Sequence, residues 1–126
     1  MRIYLSFEDV PEEGMLLTQI QRDQLKDAVD YGRQPRDFFV NMYMKGLCEE
    51  VGEIAGILKR VDRGDYDWYS SESLNGIRSE IGDVLWYLAG LASIHGWSFE
   101  DIWEYNREKL AKRKELGTIQ RHNRKE

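Results

Sequence analysis

The apolar residues between positions 40 and 91 fall on two stripes with the period of an α-helix. In the first stripe they recur every three or four positions, which predicts a long helix over about residues 35–62. Its members are Val40, Met44, Leu47, Val51, Ile54, Leu58 and Val61. The second stripe predicts a helix that begins near residues 71–73 and ends near Gly96. Its members are Ile77, Ile81, Val84, Leu88 and Leu91.

Capping signals predict two further helices. Thr18, with Gln21 three residues later, has the spacing of a capping box and predicts a helix over about residues 18–31. Ser98 is a favourable N-cap residue and predicts a helix over about residues 98–116. A glycine directly follows each segment, and glycine commonly ends helices.

Four helices with short connections predict an all-α fold that resembles a four-helix bundle. The chain has 126 residues, which suits one domain, so we expect a single all-α domain over residues 1–126. Weak alternation over residues 2–7 predicts a short strand or an extended segment within an N-terminal arm of residues 1–17. We expect the polar residues 118–126 to form a flexible tail.

The composition fits a soluble, helix-rich globular protein, and the single cysteine and the lack of long apolar runs predict a cytoplasmic location. The net charge of −5 does not favour nucleic acid as a partner, although the chain is basic after Arg107. Cys48 is the only cysteine, so an internal disulfide and a cysteine-based zinc cluster are excluded, and a reducing compartment is expected. We expect Cys48 to fill space at the edge of the core. No apolar run approaches the length of a membrane span, so no membrane partner is expected.

A short acidic phrase occurs twice. The first copy reads Glu50-Val51-Gly52-Glu53-Ile54, and thirty positions later the second reads Glu80-Ile81-Gly82-Asp83-Val84. Both copies have the order carboxylate, β-branched residue, glycine, carboxylate, β-branched residue. Because glycine inside a helix costs roughly 1 kcal/mol relative to alanine, its presence in both copies indicates close helix approach or room for a ligand.

The acids of both copies border their apolar stripe on the same side. Relative to Leu47, Glu50 and Glu53 are rotated by about 60° and 120° around the helix axis. Relative to Ile77, Glu80 and Asp83 have the same angular offsets around the axis of the next predicted helix. Two such helices facing each other would bring four carboxylates together, and so much negative charge needs a bound cation in a groove shielded from water.

Two interpretations of these acids are open at this point. Glutamate-rich helix faces are common and are usually just solvated. The second interpretation is a divalent metal site, for which oxygen donors without a histidine or cysteine favour Mg²⁺ or Mn²⁺ over zinc. Mg²⁺ bridges to phosphate oxygens, so this second interpretation predicts a phosphorylated substrate.

The acidic residues resemble the EExxE…ExxD signature of the MazG-type nucleotide pyrophosphohydrolases. Glu49-Glu50-x-x-Glu53 is followed by Glu80-x-x-Asp83. Downstream, Asn106-x-x-Lys109-Leu110-x-x-Arg113-x-x-x-Gly117 is similar to the NxxKLxxR…G segment of that family. Order and spacing match over about residues 38–117. After Arg113 many relatives have Tyr-Pro where this chain has Lys114-Glu115, so the end of the last helix is expected to differ.

The resemblance implies an enzyme of the all-α NTP pyrophosphatase superfamily that cleaves the α–β bond of an NTP or dNTP, giving the monophosphate and pyrophosphate. It also implies a homodimer or homotetramer and an Mg²⁺ ion, or Mn²⁺, as cofactor. The implied metal ligands are Glu50, Glu53, Glu80 and Asp83. Glu49 would complete the catalytic set, either as a further ligand through water or by orienting the attacking water. The implied substrate contacts are Asn106, Lys109 and Arg113.

Several alternatives stay open. The protein could be another pyrophosphohydrolase of the same superfamily, acting on phosphoribosyl-ATP or on a pyrimidine deoxynucleotide. It could instead be a non-catalytic helical interaction dimer whose acids form a solvated face, and nucleic-acid binding through the basic tail is a third alternative. Lys109 and Arg113 also have the spacing of solvated residues on an exposed basic helix.

The sequence does not identify the aromatic residue that contacts the base. Tyr87 lies one helical turn after Asp83 and could line the site. Trp86 is better explained as a core or interface residue. Other candidates for the base contact are Trp68, Phe38 and Phe39.

Overall fold

The computed structural model describes residues 16–117 as four helices without a strand. They are α1 (Leu17–Asp27), α2 (Arg36–Asp62), α3 (Ser71–Ile94) and α4 (Phe99–Leu116). The predicted all-α fold is therefore confirmed. The strand or extended segment of residues 2–7 and the tail of residues 118–126 lie outside the described residues. None of the helices within residues 16–117 combines the length and apolar character needed to cross a membrane.

The centre of the fold is the hairpin of α2 and α3, the two helices with the most extensive mutual contact. Three glycines lie where the helices approach most closely, because a facing side chain occupies the space that a Cβ would need. Along the two helices these contacts run in opposite directions, so the hairpin is antiparallel. Tyr43 lies against Gly90, Tyr87 against Gly46, and Ile57 against Gly76.

The glycines inside the acidic phrases have a different environment. Nothing lies within 4 Å of a Cβ built at Gly52 or Gly82. The close helix approach expected at these two positions is therefore absent, and the three close contacts lie elsewhere in the hairpin. Both glycines are exposed, so the open space beside them is not evidence for a ligand.

The buried side of α2 is rotated from the predicted stripe toward its acidic flank. The buried residues of this helix are Tyr43, Ile57 and Val61. Val51 is 50% exposed, and Ile81, at the equivalent position of the second acidic phrase, is 48% exposed. The burial centre therefore lies roughly 50° from Leu47 on the side of Glu50. The predicted core was wrong at the outer edge of both stripes, where Met44, Val51, Ile81 and Leu88 are exposed.

Cys48 lies beyond this outer edge and is exposed. It follows Leu47 by about 100° around the helix, on the side away from α3. Its expected role as a core filler is therefore wrong.

α1 and α4 complete the fold on one end of the hairpin. α1 packs against α3, and α4 packs mainly against α1. The side-chain amide of Gln21 joins α1 to α3 and to the start of α4. Its Nε2 donates to Ser93 Oγ and to the Trp97 carbonyl, and its Oε1 accepts from the Phe99 N–H at 2.9 Å. α4 has no buried residue of its own.

Helix ends agree with local capping signals in α3 and α4. The Ser98 hydroxyl accepts from the Asp101 N–H at 3.0 Å, as predicted. The Ser70 hydroxyl plays the same part for Ser73 at the start of α3. Gly117 follows α4 in the left-handed conformation with φ of 72°, which a glycine adopts without strain.

α1 differs from the prediction at both ends. The predicted capping box at Thr18 is wrong, because the helix begins one residue earlier and Leu16 precedes it without a side-chain cap. The Thr18 N–H instead donates to Glu100 Oε2 at 3.1 Å, a carboxylate from 82 residues away. α1 ends at Asp27 rather than near residue 31, since the backbone of Ala28 is already extended.

Candidate metal centre

Three carboxylates converge where the two acidic phrases face each other. One carboxylate oxygen each from Glu50, Glu80 and Asp83 lies within 4.8 Å of the others. Glu50 is presented by α2, while Glu80 and Asp83 lie one turn apart on α3. We refer to these three residues as the acidic cluster. The antiparallel hairpin therefore brings the two phrases together, as their matched flanks indicated.

The other two predicted acids have different positions. Glu53 is exposed and lies outside the acidic cluster, but it is near enough to Glu50 to act on its protonation. Glu49 is exposed and also lies outside the cluster. The structure thus joins three of the four predicted metal ligands, with Glu53 beside them. Glu49 directly precedes Glu50 on α2 but is not part of the cluster.

The electrostatics of the acidic cluster are unfavourable without a cation. The pKa of Glu50 is raised to about 7, first by the neighbouring Glu80 carboxyl, then by burial and by Glu53 and Asp83. Glu80 Oε1 is buried and has no hydrogen-bond partner among residues 16–117. Ordinarily a buried carboxylate oxygen is paired or coordinates a metal. Within residues 16–117, no lysine or arginine forms an ion pair with these carboxylates.

These properties fit a hard divalent cation. Carboxylate oxygens are the donors that Mg²⁺ and Mn²⁺ prefer, and a cation would give Glu80 Oε1 the partner that it lacks. It would also remove the repulsion that raises the pKa of Glu50. Glu50, Glu80 and Asp83 would hold such an ion, with Glu53 at the edge of the site.

Tyr87 connects the acidic cluster to a group of aromatic residues. Burial raises the pKa of its hydroxyl, and the charges of Glu50, Glu49 and Asp83 raise it further, so the ring lies within electrostatic reach of the acids. Its ring centroid is 5.2 Å from that of Trp86 and 6.4 Å from that of Tyr43.

These three rings line a cavity of about 200 Å³. Tyr31 and Met42 also line it, and its remaining walls come from the segment after α1. The predicted place of Tyr87 beside the acids agrees with this geometry. The expected core role of Trp86 is incomplete, because the residue also lines the cavity.

Tyr43 is a site residue that sequence reasoning missed. It lies seven positions before Glu50, which places both side chains on one face of α2 two turns apart. That spacing was the available signal. Of the other aromatic candidates, Phe39 stacks on Tyr43 at 6.4 Å, whereas Trp68 is exposed in the connection between α2 and α3.

The predicted substrate-binding residues on α4 are not brought to the acidic cluster within one chain. α4 has little contact with α2 or α3. Asn106 is half-buried, while Lys109 and Arg113 are exposed. No hydrogen bond or ion pair within the described residues links these three to the acids. Their contact with substrate stays a prediction.

The described residues are thus an all-α chain in which two antiparallel helices present facing acidic motifs. Residues 39–117 match the MazG nucleotide pyrophosphohydrolase domain, so the chain belongs to that family. The matched segment contains α3 and α4 and nearly all of α2, but it begins after α1.

Two curated proteins are similar to part of the chain. The "Gene 37 protein" of Mycobacterium phage L5 is 36% identical over 75 residues, which cover 60% of this chain and 66% of that protein. The "Uncharacterized protein YvdC" of Bacillus subtilis (strain 168) is 34% identical over 72 residues, which cover 53% of this chain and 68% of that protein. The similarity thus spans about two thirds of each relative's length. No solved structure matches the chain significantly.

Proposed function

We propose that the protein hydrolyses a nucleoside or deoxynucleoside triphosphate between its α and β phosphates, giving the monophosphate and pyrophosphate, with Mg²⁺ as cofactor. The observation that carries this proposal is the acidic cluster, with its buried and unpartnered Glu80 Oε1, in a chain of the MazG family. Phosphate oxygens and water are the usual further ligands of Mg²⁺, so a cation held by only three or four carboxylates leaves places for a substrate.

This proposal gives each of the five acids a role. Glu50, Glu80 and Asp83 fix the cation between α2 and α3, and Glu53 supports it from the edge. When bound there, Mg²⁺ would neutralise charge on the phosphates and lower the pKa of a coordinated water. Glu49, which is exposed beside these ligands, orients the attacking water.

A second copy of the chain completes this proposed site. In one chain α4 lies away from the acidic cluster, so the contacts of Asn106, Lys109 and Arg113 with the phosphates would come from α4 of a second copy. An exposed apolar face supports self-association, because monomeric proteins rarely leave such a face uncovered. It consists of Met44, Val51, Leu74, Ile81, Leu85 and Leu88.

Mixing two inactive variants tests the contribution of α4 from a second copy. Glu80→Gln removes a cation ligand, and Lys109→Ala removes a phosphate contact. In a mixed dimer, one of the two sites would combine an intact acidic cluster with an intact α4. Each mixed dimer should therefore have up to about half of the activity of a wild-type dimer. Absence of any recovery, in dimers shown by mass spectrometry to have exchanged subunits, would place Lys109 and the acids of one site in the same chain.

Turnover itself is tested by product analysis. The protein is incubated with each common NTP and dNTP and Mg²⁺, and the products are separated by ion-exchange chromatography. We expect monophosphate and pyrophosphate in equal amounts from at least one nucleotide. Failure to turn over any nucleotide, together with no Mg²⁺ binding in calorimetry, would favour the non-catalytic interaction protein.

A further inference from the structure

α1 carries two buried glutamines one turn apart, and their side chains differ in hydrogen bonding. Gln21 is 7% exposed and Gln24 is 1% exposed. Both polar atoms of the Gln21 amide have partners, since Nε2 donates to Ser93 Oγ and the Trp97 carbonyl and Oε1 accepts from Phe99. Gln21 therefore has a structural explanation: it joins α1 to α3 and to the start of α4.

Gln24 has no comparable explanation. Its Nε2 donates to the Tyr43 hydroxyl over a long 3.4 Å, and its Oε1 is buried without a partner in the part of the chain that the structure describes. Turning the amide over would not solve this, because the Tyr43 hydroxyl can serve only one of the two amide atoms. An unpaired buried amide lowers the free energy of unfolding relative to an apolar side chain of equal size. A role in folding alone would therefore favour methionine or leucine at this position.

The side chain of Gln24 lines a cavity of about 360 Å³ between α1, α2 and α3. Flat apolar walls come from Tyr31, Phe39 and Tyr43. Gly90 forms part of the wall behind the amide, where a Cβ would come within 2.8 Å of Gln24 Nε2. Ligand pockets have this character: mostly apolar walls with one or a few placed polar groups.

This cavity continues toward the acidic cluster. It shares Ala28, Val29, Tyr31 and Tyr43 with the smaller cavity that Trp86 and Tyr87 line. Tyr87 in turn lies within electrostatic reach of Glu50 and Asp83. The two cavities, which share four lining residues, thus extend from Tyr87, one helical turn after Asp83, to Gln24. A nucleotide has the same order of parts: charged phosphates, then sugar, then a flat base.

We propose that the Gln24 cavity binds the nucleobase and that Gln24 determines which base is accepted. In this proposal Oε1 of Gln24 accepts a hydrogen bond from an N–H group of the base, while the rings of Phe39 and Tyr43 contact the faces of the base. Since Oε1 is shielded from solvent in the ligand-free chain, the amide turns toward the cavity to meet the base. α1 precedes the segment that matches the family, so base selection would depend on a part of the chain outside that match.

The proposal rests on the proposed function only for the identity of the ligand, so its test uses binding rather than turnover. Dissociation constants are measured by calorimetry in Mg²⁺ for the eight common nucleoside monophosphates and for deoxyribose 5-phosphate, which has no base. The variants are Gln24→Met, which keeps the side-chain length but not the hydrogen bond, and Gln21→Met as the matched control on the same helix. Thermal unfolding of each variant is recorded alongside.

For Gln24→Met we expect binding of the preferred monophosphate to weaken roughly fivefold to tenfold, with deoxyribose 5-phosphate unaffected and thermal stability equal or higher. For Gln21→Met we expect lower stability, because three partners lose their hydrogen bond, and an unchanged order of preference among bases.

Equal weakening of all ligands, or no weakening at all in Gln24→Met, would overturn the proposal, and so would a wild-type protein that binds no monophosphate. If Gln24 governs binding but no triphosphate is hydrolysed, the base subsite stands and the proposed reaction fails. If triphosphates are hydrolysed and Gln24→Met binds like the wild type, the reaction stands and the base subsite fails.

Discussion

The two halves of the α2–α3 hairpin are built on the same plan over residues 46–57 and 76–87. Each half begins with a glycine and ends with a large side chain that covers the glycine of the other half. Tyr87 covers Gly46, and Ile57 covers Gly76, and each residue of the second half lies thirty positions after its equivalent. The same equivalence relates the two acidic phrases. The hairpin is thus approximately twofold symmetric, with the acidic cluster near its centre.

The differences between the halves are as informative as the agreement. Ile57 is simply buried, whereas its equivalent Tyr87 also lines a cavity and lies within reach of the acids. Glu49 has Ser79 as its equivalent, so only one half carries the extra carboxylate. Positions that agree serve helix packing or belong to the acidic cluster where we propose that the cation binds, and positions that differ lie where we propose that the substrate binds.

The largest expected effect concerns an acid that both halves share. Glu80→Gln should lower kcat/KM at least a hundredfold, because a cation ligand is lost. The metal-free variant should be as stable as the wild type or more so, since one charge leaves a crowded cluster. Pyrophosphate release and chemical unfolding measure the two effects.

The control for this variant is Glu104→Gln, which changes an exposed acid on α4 and should leave kcat/KM unaltered. Equal losses in both variants would argue against a specific role of the acidic cluster.

Alanine should lower the free energy of unfolding more at Gly46 than at Gly76. Gly46→Ala forces a methyl group into the Tyr87 ring, so we expect a loss of about 1–2 kcal/mol after the helix-propensity gain of alanine. The new methyl group in Gly76→Ala would be tight only against the terminal Ile57 Cδ1 at 2.9 Å, which can move, so this variant should be nearly neutral. Urea unfolding of both variants checks this. Gly52→Ala is the control: its methyl group would enter open space and should stabilise.

Replacing Tyr87 by isoleucine, the residue at the equivalent position 57, tests the role of the Tyr87 ring. Tyr87→Ile should leave the hairpin folded, because isoleucine serves at the equivalent position 57, but we expect KM for the nucleotide to rise about tenfold. The Mg²⁺ concentration for half-maximal activity should not change. Steady-state kinetics at varied nucleotide and Mg²⁺ separate these outcomes, and a lower Mg²⁺ affinity with unchanged KM would assign Tyr87 to the metal centre instead.

Glu49, whose equivalent in the second half is Ser79, should contribute less to activity than the acids that both halves share. Glu49 is exposed and outside the acidic cluster, so Glu49→Gln should lower kcat by roughly tenfold through poorer orientation of water. Mg²⁺ binding, measured by calorimetry, should stay as in the wild type. Weaker Mg²⁺ binding in this variant would make Glu49 a ligand rather than an orienting residue.

The smallest effect is a pH dependence of the metal-free protein. The pKa of Glu50 is about 7 in the folded chain, mainly because of its contact with Glu80, and is ordinary when unfolded. The folded state therefore binds this proton more tightly, so its contribution to stability is complete below pH 4.5 and is lost as the pH rises through about 7. Thermal unfolding in a chelator at several pH values should show this decline. Glu50→Gln should flatten it, and an identical decline in that variant would point to another group.

Local signals predicted much of this fold. Ser98 and Gly117 mark the ends of α4 because their hydrogen bonds and conformation involve neighbouring residues only. The acidic cluster was predictable for a similar reason: carboxylates three apart on two helices must lie on one flank of each. Glu53 shows the limit of that argument, since its exact place depends on the rotation of α2.

Features that depend on distant residues were not predictable. The start of α1 is capped by Glu100 from α4, so the local signal at Thr18 was misleading. The core side of α2 was predicted wrongly because the outer edge of its apolar stripe, which includes Val51, is exposed in a single chain. The incomplete hydrogen bonding of Gln24 exists only once Tyr43 and Gly90 of two other helices surround it.

One measurement tests the central claim most directly. The protein is incubated with an accepted triphosphate and Mg²⁺, and the phosphorus products are followed by ³¹P NMR. Cleavage between the α and β phosphates predicts pyrophosphate and monophosphate resonances that grow together, and neither should appear with chelator or with Glu80→Gln. Orthophosphate with a nucleoside diphosphate, or undiminished turnover in Glu80→Gln, would contradict a cation-dependent pyrophosphohydrolase built on the acidic cluster.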